Sequence, residues 1–556
     1  MRNYQNIIAA AVFFVLSLII VIPLFAPGYI LTLDMVMAEK TAFPDIGSAS
    51  FLFSLFFWLL HLLFPVHFLQ KAILFLIFFL SGFSLYKLLP EKYGRARIFG
   101  GLFYAINPFV YERVMAGQWQ LLLGYSILPY VLSAVVDFFH NPSRKTAIKL
   151  GIMSTLLIVL FIHYSFVLFW LIVIYGTVYI FYNRQKLSTL LKFLLFFVMV
   201  FLVFNLNWVV SLFLVRSELM SAFSQFSQGD LLAFQSVADS RFGLIFNLLS
   251  GYGFWPEVYD YFIIPKNIVG IWPLVALTII GISLYGFIRL IQEKDKSIYP
   301  FLLTFAVLFI ISLDFAGGIA LKSFANTIFF LYDKIPVLRG LREPQKLIGV
   351  LIFSYAYFGS IGLDYLVKKL TKPLRIIIFI LFFLIPFVYT PTIFSSFWNQ
   401  LKPTSYPDSW YKVNDILKQD SDTGLVVFFP WHQYMRYNFS NNLVIANPAP
   451  QFFDKPILSS LNYETEPLYT HEIRPEALHV DGLLRIQFEK TNLLGQKVDF
   501  TPDWATDLSV IGVKYIILAK DADWQKYDFL DKSPGLVKIL ESEDLLLYQN
   551  QVPPTL

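Results

Sequence analysis

Residues 7–25 read IIAAAVFFVLSLIIVIPLF, a run of apolar side chains interrupted only by Ser17. A helix needs about 20 such residues to cross the hydrocarbon core of a bilayer. The run is long for the apolar part of a signal peptide, and no cleavage site of small residues follows it. We therefore interpret it as an uncleaved membrane anchor.

The composition indicates that lipid surrounds much of the chain. Of 556 residues, 57% are hydrophobic and 15% are charged, and the mean hydropathy is +0.62. Soluble domains carry about a quarter charged residues. The absence of cysteine excludes disulfides, thiolate nucleophiles and cysteine-ligated metals. Walker A, GxSxG, HExxH and WWDYG motifs are also absent, which disfavours a nucleotide-driven pump and an oligosaccharyltransferase catalytic subunit.

Apolar runs of spanning length recur over the first 393 residues, and we predict eleven spans. They are 7–26, 66–89, 98–113, 119–139, 147–163, 164–182, 190–214, 268–288, 299–313, 346–367 and 374–393. Residues 51–64 are also apolar, but a helix of this length reaches only about 21 Å. We predict a re-entrant or interfacial helix there.

The charged loops favour one orientation in the membrane. With the N-terminus in the cytoplasm and 51–64 not crossing, five short basic loops fall on the cytoplasmic side, as the positive-inside rule requires. These loops are 87–97, 144–149, 184–192, 289–296 and 368–375. The outer segments are then 27–65, 107–118, 216–267, 314–345 and the tail. We predict a multi-pass protein of the cell membrane, with an extracytoplasmic C-terminus.

The sequence changes character after residue 393. Hydrophobic runs shorten to strand length, as at 424–430 and 514–519, and Pro, Asn and Asp clusters separate them. We predict two domains. A mainly α-helical membrane module spans 1–393 and includes the outer loop 27–65, and an α/β domain spans 394–556.

The first predicted outer loop contains an isolated carboxylate. Asp34 lies eight residues beyond the first span in an otherwise apolar stretch, where an ionised group is unfavourable unless it is paired or used. It could act as a general base or a metal ligand, or it could be a helix N-cap or a partner of Lys40. Asp45 follows Pro44, which favours a turn, but it is a second candidate metal ligand. A divalent metal, Mg²⁺ or Mn²⁺, stays open.

More polar residues lie at the outer ends of the predicted spans. Glu112, Arg113 and Gln118 follow a helix break at 107–108, near the depth of lipid head groups. A Glu–Arg neighbour pair is more often a surface ion pair, but this position also suits a substrate site. His163 lies in a tight turn between two spans. A lone histidine there is more often a structural hydrogen-bonding residue than a ligand.

Basic residues precede the predicted span 346–367. Arg342 and Lys346 are four residues apart, so a continuing helix would place them on one face, and Arg339 precedes them. Arginine matches phosphate oxygens with two parallel hydrogen bonds, and the positive end of a helix near Pro344 adds to anion binding. Anchoring to lipid head groups is the alternative, although these cations lie on the predicted outer side. We predict a phosphate-binding site centred on Arg342.

The tail contains an aromatic and basic stretch, PWHQYMRYNFSNN, at 430–442. Trp431, Tyr434 and Tyr437 could stack on sugar rings. Aromatic residues in strands are more often part of a core, so both interpretations stay open.

Four stretches carry a family resemblance: NPFVYERVMAGQW (107–119), LGYSILPY (123–130), LREPQK (341–346) and IGVKYIIL (511–518). With the order of parts, they resemble the GT-C superfamily of polytopic membrane glycosyltransferases, in its bacterial and archaeal arabinofuranosyltransferase-like branch. Asp34 is similar to the acidic residue of the first outer loop in that family. No second carboxylate stands beside it, unlike in some relatives, which leaves metal dependence undecided.

The resemblance implies an enzyme that moves a sugar from a polyprenyl-phosphate donor to a glycan, lipid or protein acceptor on the outer face, with inversion. Asp34 would take the acceptor proton, and Arg342 and Lys346 would hold the leaving phosphate. The further substrate-binding candidates are Arg339, Glu112, Arg113, Gln118 and His163. Membrane lipid, donor and acceptor are the expected partners, and nucleic acid is not. A transporter or flippase for a lipid-linked glycan, or a non-catalytic membrane scaffold with an outer binding domain, remains the alternative.

Overall fold

The structure, a computed structural model, describes residues 2–183, 187–214, 228–421, 424–462, 472–493 and 495–554. The predicted basic residues Arg184 and Lys186, and the start of the predicted outer segment 216–267, lie outside these ranges. The chain forms two compact units. The first comprises Met1–Phe25, Ala42–Phe64 and Phe68–Asn399, and the second comprises Ala26–Thr41, Pro65–His67 and Gln400–Leu556.

The first unit is helical. Its helices are α1 Arg2–Val21, α2 Phe51–His61, α3 Val66–Leu88, α4 Ala96–Ala105, α5 Pro108–Met115, α6 Trp119–His140, α7 Arg144–Leu160, α8 Tyr164–Tyr182, α9 Leu187–Leu214, α10 Gln228–Ala233, α11 Gly243–Leu249, α12 Pro265–Ile268, α13 Trp272–Gln292, α14 Tyr299–Gly317, α15 Ala325–Lys334, α16 Ile348–Lys368, α17 Lys372–Tyr389 and the left-handed turn α18 Phe394–Asn399. Within the described ranges, nine are long and apolar enough to cross a membrane: α1, α3, α6, α8, α9, α13, α14, α16 and α17. The predicted class, a mainly helical polytopic membrane protein with a C-terminal α/β domain, is confirmed.

Two of the eleven predicted spans are not helices of spanning length. Residues 98–113 divide between α4 and α5, because the Asn107 side chain accepts a hydrogen bond from the Val110 amide and starts a new helix at Pro108. Helix α7 spans Arg144–Leu160, and three of its first six residues are the cations Arg144, Lys145 and Lys149, so its apolar part is shorter than a spanning helix needs. Helix α2 has 11 residues and cannot cross a bilayer on its own.

Helix α16 forms the centre of the first unit and is buried along its whole apolar length. It packs on α13 through close backbone contact at two glycines. A Cβ atom at Gly286 would lie 2.0 Å from the carbonyl oxygen of Phe358, and one at Gly362 would lie 2.1 Å from that of Ile282. Small residues allow membrane helices to approach this closely.

The second unit is an α/β domain. Its strands are β1 Leu425–Phe429, β2 Tyr434–Arg436, β3 Val444–Ala446, β4 Ile457–Leu458, β5 Val513–Ala519, β6 Leu536–Glu541 and β7 Leu545–Asn550, and its helices are α19 Asp408–Gln419, α20 Ala449–Phe452, α21 Pro475–Glu489, α22 Trp504–Ser509 and α23 Phe529–Lys532. The main sheet has the order β4-β1-β5-β7-β6, in which β4, β1 and β5 are parallel and β5, β7 and β6 are antiparallel neighbours. Each face of the sheet packs on a different tryptophan. Phe429 contacts Trp504 on one face, and Phe428 contacts Trp410 on the other.

The segment Ala26–Thr41 belongs to the second unit. Tyr29 and Thr404 exchange backbone hydrogen bonds of 2.6 and 2.9 Å, and the Ala446 amide donates to the Leu33 carbonyl at 2.8 Å. The predicted domain division kept this segment with the membrane module as an outer loop. The structure groups it otherwise because its backbone pairs with strand residues far along the chain, and such pairing leaves no local mark on the sequence.

Candidate functional site

Three buried or half-buried polar side chains of the first unit meet at one buried carboxylate. Glu343 Oε2 lies 3.4 Å from Arg113 Nη1 and 3.5 Å from Lys346 Nζ, and it accepts a hydrogen bond of 2.8 Å from Gln118 Nε2. Arg113 Nη1 also donates to Gln118 Oε1 at 2.7 Å. We call Arg113, Gln118, Glu343 and Lys346 the Glu343 cluster. Three of its members were predicted site residues, and Glu343 itself was not.

Local structure aims these side chains at one another. Arg113 is near the end of α5, and the turn to Gln118 passes through Gly117, whose φ of +73° suits a residue without Cβ. The Arg113 guanidinium lies 3.6 Å from the centre of the Phe254 ring, a stacking that fixes its plane. Glu343 precedes the short 3₁₀ turn Pro344–Leu347 that leads into α16.

Opposing effects set the ionisation of Glu343. Burial acts to raise the pKa of its carboxyl, but the cations of Lys346 and Arg113 and the amide of Gln118 outweigh burial and hold the pKa at about 2. The carboxylate is therefore ionised at neutral pH. A buried ion pair is strongly destabilised when one partner is removed, because the other charge stays buried.

This pKa predicts an acid-dependent contribution to stability. Because the pKa is lower in the folded than in the unfolded state, the contribution is complete above about pH 4.5 and is lost as the pH falls toward 2. At neutral pH we expect Glu343→Gln to lower the free energy of unfolding by about 3 kcal/mol. The gap to wild type should close as the pH falls from 4.5 to 2, as measured by thermal unfolding of detergent-purified protein. The control Glu39→Gln changes an exposed carboxylate and should be as stable as wild type at every pH. If the stability difference between Glu343→Gln and wild type did not change with pH, the ion pairing assigned to Glu343 would be wrong.

His163 and Arg342 lie beside the Glu343 cluster. Burial, together with the charges of Lys346 and Arg342, lowers the pKa of the His163 imidazole to about 3, against the opposing effect of Glu343. Nδ1 of this neutral ring has no hydrogen-bond partner within the described ranges. Arg342 is half-buried, with its guanidinium 5.2 Å from the centre of the Phe234 ring. The structure thus brings five predicted substrate-binding residues together: Arg113, Gln118, His163, Arg342 and Lys346.

Glu112 connects this region to a second buried ionic group. Burial and the nearby Glu257 carboxylate raise the pKa of the Glu112 carboxyl well above its usual range. Glu257 Oε2 is 2.5 Å from Lys266 Nζ, which also donates to Asn247 Oδ1 at 2.8 Å. Sequence reasoning missed Glu257 and Lys266 because no motif marks them. For Glu343 a signal existed, since it stands between Arg342 and Pro344 in LREPQK.

The other predicted residues have different surroundings. Arg339 Nε donates to the Tyr332 carbonyl at 2.9 Å, so this arginine ties its own segment to α15. Asp45 Oδ1 accepts a hydrogen bond of 2.9 Å from the Gly47 amide in a local turn. In the part of the chain that the structure describes, no group of three or more His, Asp or Glu residues could hold a metal ion. A metal-ligand set therefore does not assemble around either candidate aspartate there.

Asp34, the predicted base, lies in the second unit. It is exposed, and its Oδ1 accepts a hydrogen bond of 2.8 Å from the Tyr434 hydroxyl. Of the tail aromatics proposed to stack on sugars, Tyr437 is a core residue and Tyr434 makes this contact with Asp34.

Comparison with known proteins places the fold. No protein-family model and no curated protein match the sequence. The structure shares its fold with a solved arabinofuranosyltransferase, and the fold expected from the motifs is confirmed at that level. In particular, it is similar to the solved structure of the arabinofuranosyltransferase AftD from Mycobacteria, with a TM-score of 0.60 and 14% identity over 100% of this chain and 40% of that chain. A mutant AftD structure gives a TM-score of 0.61 and 13% identity, over 99% of this chain and 42% of that chain. The chain thus spans about two-fifths of AftD.

Proposed function

We propose that this chain is a membrane glycosyltransferase that moves a sugar from a polyprenyl-phosphate donor to a glycan, lipid or protein acceptor on the outer face of the membrane. The observation that carries the proposal is the Glu343 cluster, with His163 and Arg342 beside it, within a fold shared with an arabinofuranosyltransferase. A pentofuranose is therefore the first sugar to test.

The chemistry of transfer matches these side chains. The bond between the anomeric carbon and the phosphate oxygen breaks, and its electron pair stays on the leaving phosphate. Cations fixed in a buried site stabilise that charge without reorganising. Lys346 and the half-buried Arg342 would serve this role, while Glu343 and Gln118 keep Lys346 and Arg113 in place.

The acceptor oxygen would form the new bond from the opposite side of the sugar, which inverts the anomeric centre. Its proton must go to a base. The exposed carboxylate of Asp34 remains our prediction for that base. The Tyr434 hydroxyl on Oδ1 would fix its orientation.

An apolar cavity in the first unit supports a lipid-linked donor. It has a volume of about 400 Å³ and lies between α13, α14 and α16. Apart from two serines, its walls are aliphatic or aromatic, with Phe305, Phe309 and Phe358 among them. Such walls suit a polyprenyl chain and offer few hydrogen bonds to a nucleotide.

Filling this cavity should discriminate between donors by chain length. We expect Ala306→Trp, at the cavity wall, to reduce transfer from a long-chain donor about tenfold and to spare a short-chain donor. Ile310→Trp on the same helix is the matched control, because Ile310 is exposed on the outside of α14. Initial rates with both donors provide the measurement. Equal losses with both donors, or in both variants, would argue against this cavity as the lipid site.

The proposal itself is tested by transfer assays with protein in nanodiscs. Radiolabelled polyprenyl-phosphate sugars are offered to wild type, Arg342→Ala and Asp34→Asn, with Lys334→Ala as control, since Lys334 is an exposed cation of the preceding helix. We expect transfer or donor hydrolysis by wild type and Lys334→Ala, with losses of about a hundredfold in the other two. Equal donor binding by all four proteins without turnover would instead indicate a transporter or a scaffold.

A further inference from the structure

A cavity of about 420 Å³ lies within the second unit at the carboxyl ends of β1 and β5. His432 follows β1, and Asp523 and Lys526 follow β5. Helix α21 adds Asp481 and Phe488 to the wall. All of these residues belong to the second unit, whereas the Glu343 cluster belongs to the first.

The sheet topology makes this position a natural binding crevice. Strands β1 and β5 are adjacent and parallel, yet the chain leaves them in opposite directions. The next strand of the main sheet after β1 is β4 on one side, and those after β5 are β6 and β7 on the other. The two connections diverge and leave a gap above the strand ends, where open α/β sheets bind their ligands.

The polar groups of the cavity are held in fixed positions. Trp431 Nε1 donates to Asp481 Oδ1 at 2.6 Å, so the indole orients that carboxylate. His432 Nε2 is 3.0 Å from Asp523 Oδ1, and Lys526 Nζ is 3.1 Å from Asp523 Oδ2. The side chains of His432 and Asp523 keep 28% and 30% of their surface exposed, so both can still bind a ligand.

The wall chemistry favours a neutral polyol. Three carboxylates, Asp481, Glu489 and Asp523, are nearly balanced by two cations, Arg485 and Lys526. The connection after β1 reads PWHQ, without the glycines that let a backbone cradle phosphate. Hydroxyl groups both donate and accept, which suits a mixture of carboxylate, imidazole and ammonium groups.

An aromatic ring is available to complete such a site. Phe488 lines the cavity with 46% of its surface exposed, and it is supported edge-on by Tyr527 at 5.8 Å between ring centres. A pyranose or furanose ring has apolar C–H faces that pack on an exposed aromatic face, while its hydroxyls point sideways.

We propose that this crevice binds an uncharged glycan, with Asp523, His432 and Asp481 hydrogen-bonding its hydroxyl groups and Phe488 packing on a sugar ring. The site is independent of sugar transfer and stands whether or not the chain is an enzyme. In a glycosyltransferase it would hold a sugar other than the one being transferred.

Ligand-observed NMR on the full chain in nanodiscs tests the proposal. Saturation transfer is measured to a panel of methyl hexopyranosides and pentofuranosides, with inorganic phosphate as competitor. Wild type is compared with Phe488→Ala and with the near-isosteric Asp523→Asn. Phe500→Ala is the matched control, because Phe500 is an exposed aromatic of the same unit that does not line the cavity.

We expect saturation transfer to at least one glycoside, weakened about fivefold or more in Phe488→Ala and Asp523→Asn. The saturation-transfer signal should be the same in Phe500→Ala as in wild type, and added phosphate should not reduce it. Lys346→Met, which we expect to be inactive in transfer, should keep the signal, so the two proposals can fail separately. No saturation transfer to any glycoside, an equal signal in all variants, or displacement by phosphate would overturn the glycan site.

Discussion

Lys346→Met should lower kcat for sugar transfer by about a hundredfold to a thousandfold, with a smaller change in KM. Methionine fills a similar volume but has no charge, so the leaving phosphate loses a buried cation that acts mainly in the transition state. Lys346 is 8% exposed, so little water can replace the lost charge. Single-turnover rates with the best donor of the panel measure the effect on the chemical step.

A double variant separates the chemical role of Lys346 from its structural one. Lys346 Nζ is 3.5 Å from Glu343 Oε2, so its loss also disturbs the Glu343 cluster. Combining Lys346→Met with Glu343→Gln removes one charge of each sign. The double variant should recover part of the thermal stability that Glu343→Gln loses. It should not recover sugar-transfer activity. If the double variant regained transfer, Lys346 would act only by holding Glu343, and its role at the phosphate would be wrong.

Gly286→Ala should reduce the free energy of unfolding by about 3 kcal/mol or prevent accumulation of folded protein. The added methyl group would sit 2.0 Å from the Phe358 carbonyl oxygen and 2.6 Å from the Gly362 amide nitrogen. Both are backbone atoms that no rotamer change can move. Helices α13 and α16 would therefore have to separate, and α16 is the buried centre of the unit.

The same helix supplies the control for this prediction. A Cβ atom at Gly281 meets nothing within 4 Å, so Gly281→Ala should be neutral or slightly stabilising. Thermal unfolding in detergent and the yield of monodisperse protein compare the two variants. Equal stability of Gly281→Ala and Gly286→Ala would show that α13 and α16 do not pack at the distance described.

The fold class could be predicted because lipid imposes a strong rule on sequence. Every backbone polar group in a membrane must be satisfied within its own helix, so long apolar runs report spans directly. The division of 98–113 was less visible, although Asn107 and Pro108 form a good helix start, because apolar residues continue on both sides. A mean hydropathy taken over a window of residues stays high across such a helix break and therefore does not reveal it.

The candidate site was harder to predict because its centre is an anion among cations. The motif LREPQK suggested a basic patch. In the structure, however, Arg113 and Lys346 both contact the carboxylate of Glu343, which lies within that motif. Arg113 and Glu343 are 230 positions apart, and only folding brings them together. Arg113, Gln118, His163, Arg342 and Lys346 could be singled out as candidates because polar side chains next to long apolar runs are few enough to be noticed.

The discontinuity of the second unit has a consequence for biosynthesis. Leu33 must pair with Ile445, which the ribosome adds about 400 residues later. At roughly 5–20 residues per second, the first piece of this domain waits tens of seconds, through the insertion of the membrane helices, before its partner strand exists. A fragment starting at residue 394 would lack that piece altogether, together with the backbone hydrogen bonds between Tyr29 and Thr404. The segment Ala26–Thr41 is thus without these backbone partners during most of the synthesis of the chain.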